Sequence, residues 1–174
     1  SQEAQLQRLL SQPPARLWQQ AGSKAWSAME CLEHLVLAGR YYAAEIQKEL
    51  ERAVLHRSDQ ELKSGRVGKM MAKGQAPTAD GRRRYKTKTF ASTTPLKLDQ
   101  NRYQLIVEDY LALQQDWRDL LARAQEVDWN KIRIRSLAGP VLRFYLGDAF
   151  QFMLAHQARH LLQAEEAVGS RIAG

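Results

Sequence analysis

Cysteine is almost absent from this 174-residue chain: Cys31 is alone, so no disulfide can close within it and a disulfide-stapled scaffold is excluded. The same scarcity favours a reducing cytoplasm as its compartment. No apolar run approaches the roughly 20 residues needed to cross a bilayer, which excludes a membrane-spanning helix. Repeats of 20–50 residues and low-complexity tracts are missing too, which argues against a solenoid. The first residues, Ser1-Gln-Glu-Ala-Gln5, contain no initiator Met and no signal-like apolar stretch, so the start is either an imposed boundary or a processed end. Histidine is also scarce, with four residues at 34, 56, 156 and 160.

What is present fits one soluble domain spanning residues 1–174. Hydrophobic residues make up 44% and charged residues 26%, enough apolar surface for a proper core at this length. The net charge of +7 suggests a nucleic-acid binder until it is localised. Between Lys63 and Lys88 nine Lys/Arg stand against one acid, Asp80, a net of +8. The remaining 17 basic and 18 acidic residues leave the body at −1. A single segment therefore supplies the excess, either as a solvated loop or as a contact surface for phosphates or an acidic partner.

Four stretches have helical periodicity. Ala4, Leu6, Leu9 and Leu10 mark a first helix over residues 2–12, stopped by Pro13-Pro14, with a smaller helical piece over 15–20. Ser27-Ala-Met-Glu30 is a capping box opening a second helix that runs to about residue 55. Trp26 and Cys31 occupy its hydrophobic-staple positions, and Cys31, Leu35, Ala38 and Tyr42 form one stripe. Asp99 is a plausible N-cap for a third helix ending near residue 124, with Tyr103, Ile106, Tyr110, Leu113, Trp117, Leu120 and Leu121 on its apolar positions. The last helix starts between residues 145 and 147 and ends by Gly169, with Phe150, Leu154, Leu161 and Ala164 among its apolar positions. Residues 58–98, punctuated by Gly65, Gly68, Gly74, Pro77, Gly81 and Pro95, read as a long loop with one helical turn over 69–73. Lys131-Ile-Arg-Ile-Arg135 alternates like an extended segment too brief to imply a sheet, and Gly139-Pro140 closes that connector. The expected architecture is an all-α four-helix bundle with a long basic connection between its second and third main helices.

Three of the four histidines fall on predicted helices among apolar neighbours, where burying an unpaired polar ring is costly. His156 and His160 are four apart in His156-Gln-Ala-Arg-His160, hence on one helical face one turn apart. Two imidazoles so placed can address one divalent ion, and His34 from a facing helix would complete a three-nitrogen set with open positions for water or substrate. Each histidine taken alone is more often a satisfied core residue than a ligand. The pair is not the zincin motif, because no Glu follows His156. Around the set, Glu30 is either the cap or an acceptor orienting His34. Arg159 is rotated off the ligand face toward a salt bridge or dimer contact, and Asp148 serves the charge of a helix N-terminus. Tyr41 and Tyr42 pack in the core or reach a substrate, and Cys31 is a small buried hydrophobe.

Trp26-Ser-x-x-Glu30-x-Leu-x-His34-Leu, followed more than 100 residues later by His156-x-x-Arg159-His160-x-x-Gln163, resembles the DinB/YfiT-like superfamily. Gly139-Pro140 and Leu146-Gly-Asp148 ahead of the last helix add to the likeness, which covers the chain from about Trp26. The resemblance implies an up-down-down-up bundle whose ligands, carried onto this chain, are His34, His156 and His160, holding a divalent ion, with Zn²⁺ or Ni²⁺ favoured. It also implies a homodimer and a reaction class: metal-dependent hydrolysis, or transfer with low-molecular-weight thiols, on a small-molecule substrate. The alternative is a non-enzymatic bundle that binds an acidic partner or nucleic acid through residues 63–88. Tyr85 and Phe90 are the only aromatics flanking Arg82-Arg-Arg84, and nothing there resembles a recognition helix.

Overall fold

Apolar periodicity becomes helix at each of the long stretches. In chain order the described residues form α1 (Gln2–Leu10), α2 (Pro14–Leu17), α3 (Ala28–Arg52), α4 (Arg66–Gln75), α5 (Tyr103–Ala124) and α6 (Leu146–Ala167). An antiparallel pair, β1 (Arg133–Ser136) and β2 (Gly139–Tyr145), precedes α6. These elements belong to a computed structural model that describes residues 1–20, 22, 25–56, 60–83, 89–96 and 99–169. No helix among them is long and apolar enough to cross a membrane.

The central element is α3, which packs on both α5 and α6, while α1 and α4 pack on α6. Its start is fixed as the sequence requires. Ser27 Oγ accepts from the Glu30 amide at 3.2 Å, and Glu30 Oε2 accepts from the Ser27 amide at 2.7 Å, so two otherwise unsatisfied donors of the first turn are paired. Side by side along α3 lie two apolar clusters. One contains Leu9, Leu17, Met29, Cys31, Leu32, Tyr110 and Leu161, with Trp26 packed against it. The other contains Tyr42, Ile46, Leu113, Ile134, Phe144 and Phe152. Gly39 lets α5 approach closely: a Cβ there would lie 2.5 Å from Leu113 Cδ2.

Several expectations need correction. The stretch taken as a loop with one helical turn contains the ten-residue α4. Gly68 and Gly74 look like helix breakers in the sequence, yet they are the buried positions of α4. At Gly68 the missing side chain admits the Asp148 carboxylate of α6, which a Cβ would overlap. The Lys131–Arg135 alternation, judged too brief for a sheet, pairs in a hairpin with Ile134 opposite Phe144, and Gly139-Pro140 belongs to its second strand. The fold is mostly helical, as expected, with a small two-stranded sheet added to the helices. Asp99 caps the 3₁₀ turn Gln100–Arg102, which leads into α5, and α3 ends at Arg52 before residue 55. Leu121 and Leu154, expected on apolar faces, are exposed.

Candidate metal centre

Three imidazoles converge between α3 and α6. His34 comes from α3, and His156 and His160 come from successive turns of α6. Each can offer one nitrogen such that all three atoms lie within 4.8 Å of one another. All three rings are buried. Their centroids lie 5.0 Å (34–156), 4.5 Å (34–160) and 4.6 Å (156–160) apart. The i, i+4 spacing and the facing helix thus bring together every residue the sequence singled out for the site.

The His34 tautomer follows from its surroundings. Nδ1 lies 2.7 Å from the Thr93 carbonyl oxygen, which can only accept, so Nδ1 carries the proton and Nε2 presents a lone pair. Nε2 in turn lies 3.1 Å from Nε2 of His156. Two nitrogens bound to one zinc at about 2.0–2.1 Å would stand roughly 2.9–3.4 Å apart at ordinary coordination angles, so this spacing suits a shared ion. Nδ1 of His156 and Nδ1 of His160 are buried with no hydrogen-bond partner among the described residues. Buried ring nitrogens without a protein partner among the described residues leave part of the cluster to be satisfied by a group other than the protein, and a cation suits imidazole lone pairs.

Electrostatics keep the rings neutral at pH 7. Burial lowers the His34 pKa, opposed in part by its bond to Thr93. Burial pushes His156 down to about 3, with His34 and the Arg159 charge adding to it. His160 is lowered well below the ordinary imidazole value by burial first, then by His156, His34, Arg159 and Arg83. Neutral imidazole is the form that binds metal. Trp26 covers the cluster, with its ring 4.9 Å from His34 and 5.9 Å from His160, and Phe152 stacks on His156 at 5.8 Å.

The rings open onto a cavity of about 750 Å³. Tyr42, Phe152, Arg159 and Gln163 line it from α3 and α6, while Met71, Gln75, Arg83, Phe90 and Thr93 line it from the long connection. Far from being only a solvated loop, the basic segment supplies one wall. Arg83 reaches Glu166 with Nε at 2.9 Å and Nη2 at 2.7 Å, and Arg82 pairs with Asp80 at 3.0 Å. Arg84, Tyr85, Lys86 and Lys88 lie outside the described residues.

Other assignments sort out by contact. Glu30 is the cap, and its second partner is Gln20 Nε2 at 3.1 Å, so the carboxylate does not orient His34. Arg159, expected off the ligand face, is buried in the cavity wall. Of the two tyrosines only Tyr42 lines the cavity; its hydroxyl accepts from the Leu137 amide at 3.3 Å. Asp148 does more than serve a helix N-terminus, since it accepts from the Gly65 amide at 2.8 Å and from the Ser64 hydroxyl. Cys31 is fully buried and its thiol pKa is raised by burial. Two participants left no signal in the sequence: the backbone carbonyl of Thr93, and Arg83 as a cavity residue.

The sequence model of the DinB superfamily matches residues 1–164. The chain belongs to the DinB superfamily. All three histidines fall within the matched residues, and the DinB resemblance expected from the His34 and His156–His160 motifs stands. No curated protein and no solved structure matches the chain.

Proposed function

We propose that this DinB-superfamily chain is a metal-dependent enzyme acting on a small molecule, by hydrolysis or by transfer to or from a thiol, in a reducing cytoplasm. In this reading α1, α3, α5 and α6 are the up-down-down-up bundle, and His34, His156 and His160 bind one divalent ion, Zn²⁺ or Ni²⁺, leaving coordination positions open. The observation that carries it is three buried, neutral imidazoles whose nitrogens lie within 4.8 Å of one another at the floor of a cavity. Structural zinc sites are ordinarily closed by a fourth protein ligand. Among the described residues no further His, Cys, Asp or Glu joins this group.

A bound ion would supply Lewis acidity, holding water or a thiol in its deprotonated form near neutral pH. The chain's own residues do the rest. The Thr93 carbonyl holds the Nδ1 proton of His34 and so fixes the ring's orientation. Trp26 and Phe152 cover the rings against bulk water. Gln163 and the Tyr42 hydroxyl, in the cavity wall, offer hydrogen bonds that would orient a substrate. Cys31, buried in the apolar core with its pKa raised and absent from the cavity wall, is no nucleophile, so a thiol in the reaction would come from the substrate side. Homodimerisation belongs to the same reading, and the exposed Leu111 and Leu154, each three residues before the hydrogen-bonded Gln114 and Gln157, are candidate contacts.

Metal content of protein purified without a polyhistidine tag, together with Zn²⁺ and Ni²⁺ calorimetry, tests the first half. One tightly bound ion per chain is expected, lost in His156→Ala. Substoichiometric metal that neither ion restores would refute it. If His156→Ala lowers thermal stability while a candidate hydrolase or thiol-transferase activity survives, the ion is structural and the enzyme reading fails.

A further inference from the structure

We infer that the cavity takes an anionic small molecule, its carboxylate or phosphate held at Arg83 and Arg159 and its reacting end facing the three imidazoles. Only the placement of the reacting end rests on the metal-site reading above. The charged residues that line the cavity among the described residues are Arg83, Arg159 and Glu166, a cationic excess that neutral imidazoles do not offset and a bound divalent ion would raise. Arg159 is only 3% exposed, so its guanidinium acts where water screens it little. Both arginines line the same cavity as the three imidazoles. An anion held there would therefore sit within reach of the imidazole cluster.

The Arg83–Glu166 pair has the form of an exchangeable contact. Nε and Nη2 of Arg83 both approach the single oxygen Oε2, at 2.9 and 2.7 Å. This differs from the two-oxygen fork that makes arginine–carboxylate pairs strongest. The Arg83 side chain is 31% exposed, so an entering anion can reach it and compete with Glu166. Gln163, one turn beyond Arg159 on α6, adds a neutral donor to the same wall. Trp26, Phe90 and Phe152 supply the apolar remainder of a small-molecule pocket.

Succinate and its uncharged diamide, titrated into metal-free protein by calorimetry, test this. Wild type should bind succinate and not the diamide, and more weakly as salt rises. Arg83→Gln should weaken succinate by about tenfold, the loss of a charged hydrogen bond. Glu166→Gln should tighten it, because the competing carboxylate is gone. No succinate binding to wild type, equal binding of the diamide, or equal weakening in both variants would overturn the inference, the last marking the pair as a structural latch. Zn²⁺ titrated into the same three proteins should give one affinity. A wild type that ignores Zn²⁺ would sink the metal reading and leave the succinate result standing.

Discussion

The Thr93 carbonyl oxygen stands 2.7 Å from Nδ1 of His34 and dictates which nitrogen of that ring is left to coordinate. Residues 91–93 form a 3₁₀ turn in the long connection, so a segment far from α6 in sequence sets the tautomer of a residue facing α6. The turn is itself tied by the Thr93 hydroxyl, which donates to the Phe90 carbonyl at 3.2 Å. Thr93→Ala removes that tie and keeps the carbonyl. With the carbonyl less firmly held, Zn²⁺ affinity should fall by up to about tenfold, no more than the lower end of what removing a ligand's hydrogen-bond partner costs, with the stoichiometry of one ion unchanged. Calorimetry reads both; unchanged affinity would mean the turn holds without its side-chain bond.

Acid should destabilise the metal-free protein through its histidines. In the unfolded chain an imidazole titrates near its ordinary value of about 6.5. In the fold His34 and His160 are lowered and His156 is pushed down to about 3. Between those values the unfolded chain binds more protons than the native one, so unfolding free energy falls as pH falls. The stability conferred by neutral rings is complete above about pH 6.5 and is lost downward through the folded-state values. Melting temperatures of chelator-treated protein at pH 7.5, 6.0 and 5.0 should decline in that order. His156→Asn should flatten the decline; an equal slope in the variant would assign the pH dependence to other groups.

Cys31 should be chemically silent in the native protein. It has no exposed surface, and burial raises its thiol pKa, so the thiolate that reacts with disulfide reagents is scarce. A colorimetric thiol reagent at pH 8 should register no fast reaction in the folded protein and one thiol per chain after unfolding. Rapid labelling of the native protein would show that the core around Met29, Leu32 and Leu161 opens.

The helices and the histidine cluster were legible because both rest on periodicity. A polar ring at an apolar position of a helix is conspicuous, and i, i+4 spacing converts directly into one face. Capping at Ser27 was equally local, with donor and acceptor three residues apart. The features that escaped depend on long-range or backbone chemistry. Gly68 reads as a breaker until Asp148, 80 positions later, occupies the space its side chain would fill. Ile132 and Ile134 alternate, but only their buried environment beside Phe144 makes that a strand. Arg83 is one arginine in a basic run, and nothing nearby in sequence marks Glu166 as its partner. A carbonyl such as that of Thr93 has no residue-type signature at all.

Asp148 ties α4 to α6, and its removal should loosen the cavity wall before it harms the core. Its carboxylate, 2% exposed, accepts from the Ser64 hydroxyl and from the Gly65 amide at 2.8 Å, at the residue that caps α4. It also sits in the first turn of α6, where a negative charge is favoured by the unsatisfied amides. Asp148→Ala leaves two donors without their acceptor, at a cost of about 1–3 kcal/mol. Asp148→Asn keeps an acceptor oxygen and the side-chain volume beside Gly68, so it should cost less. Chemical denaturation orders the two variants. Limited trypsin digestion should show faster cleavage at Lys63 and Arg66 in Asp148→Ala, ahead of any cut within α3. If both variants match wild type in stability and cleavage, the connection is held by its other contacts and Asp148 acts on α6 alone.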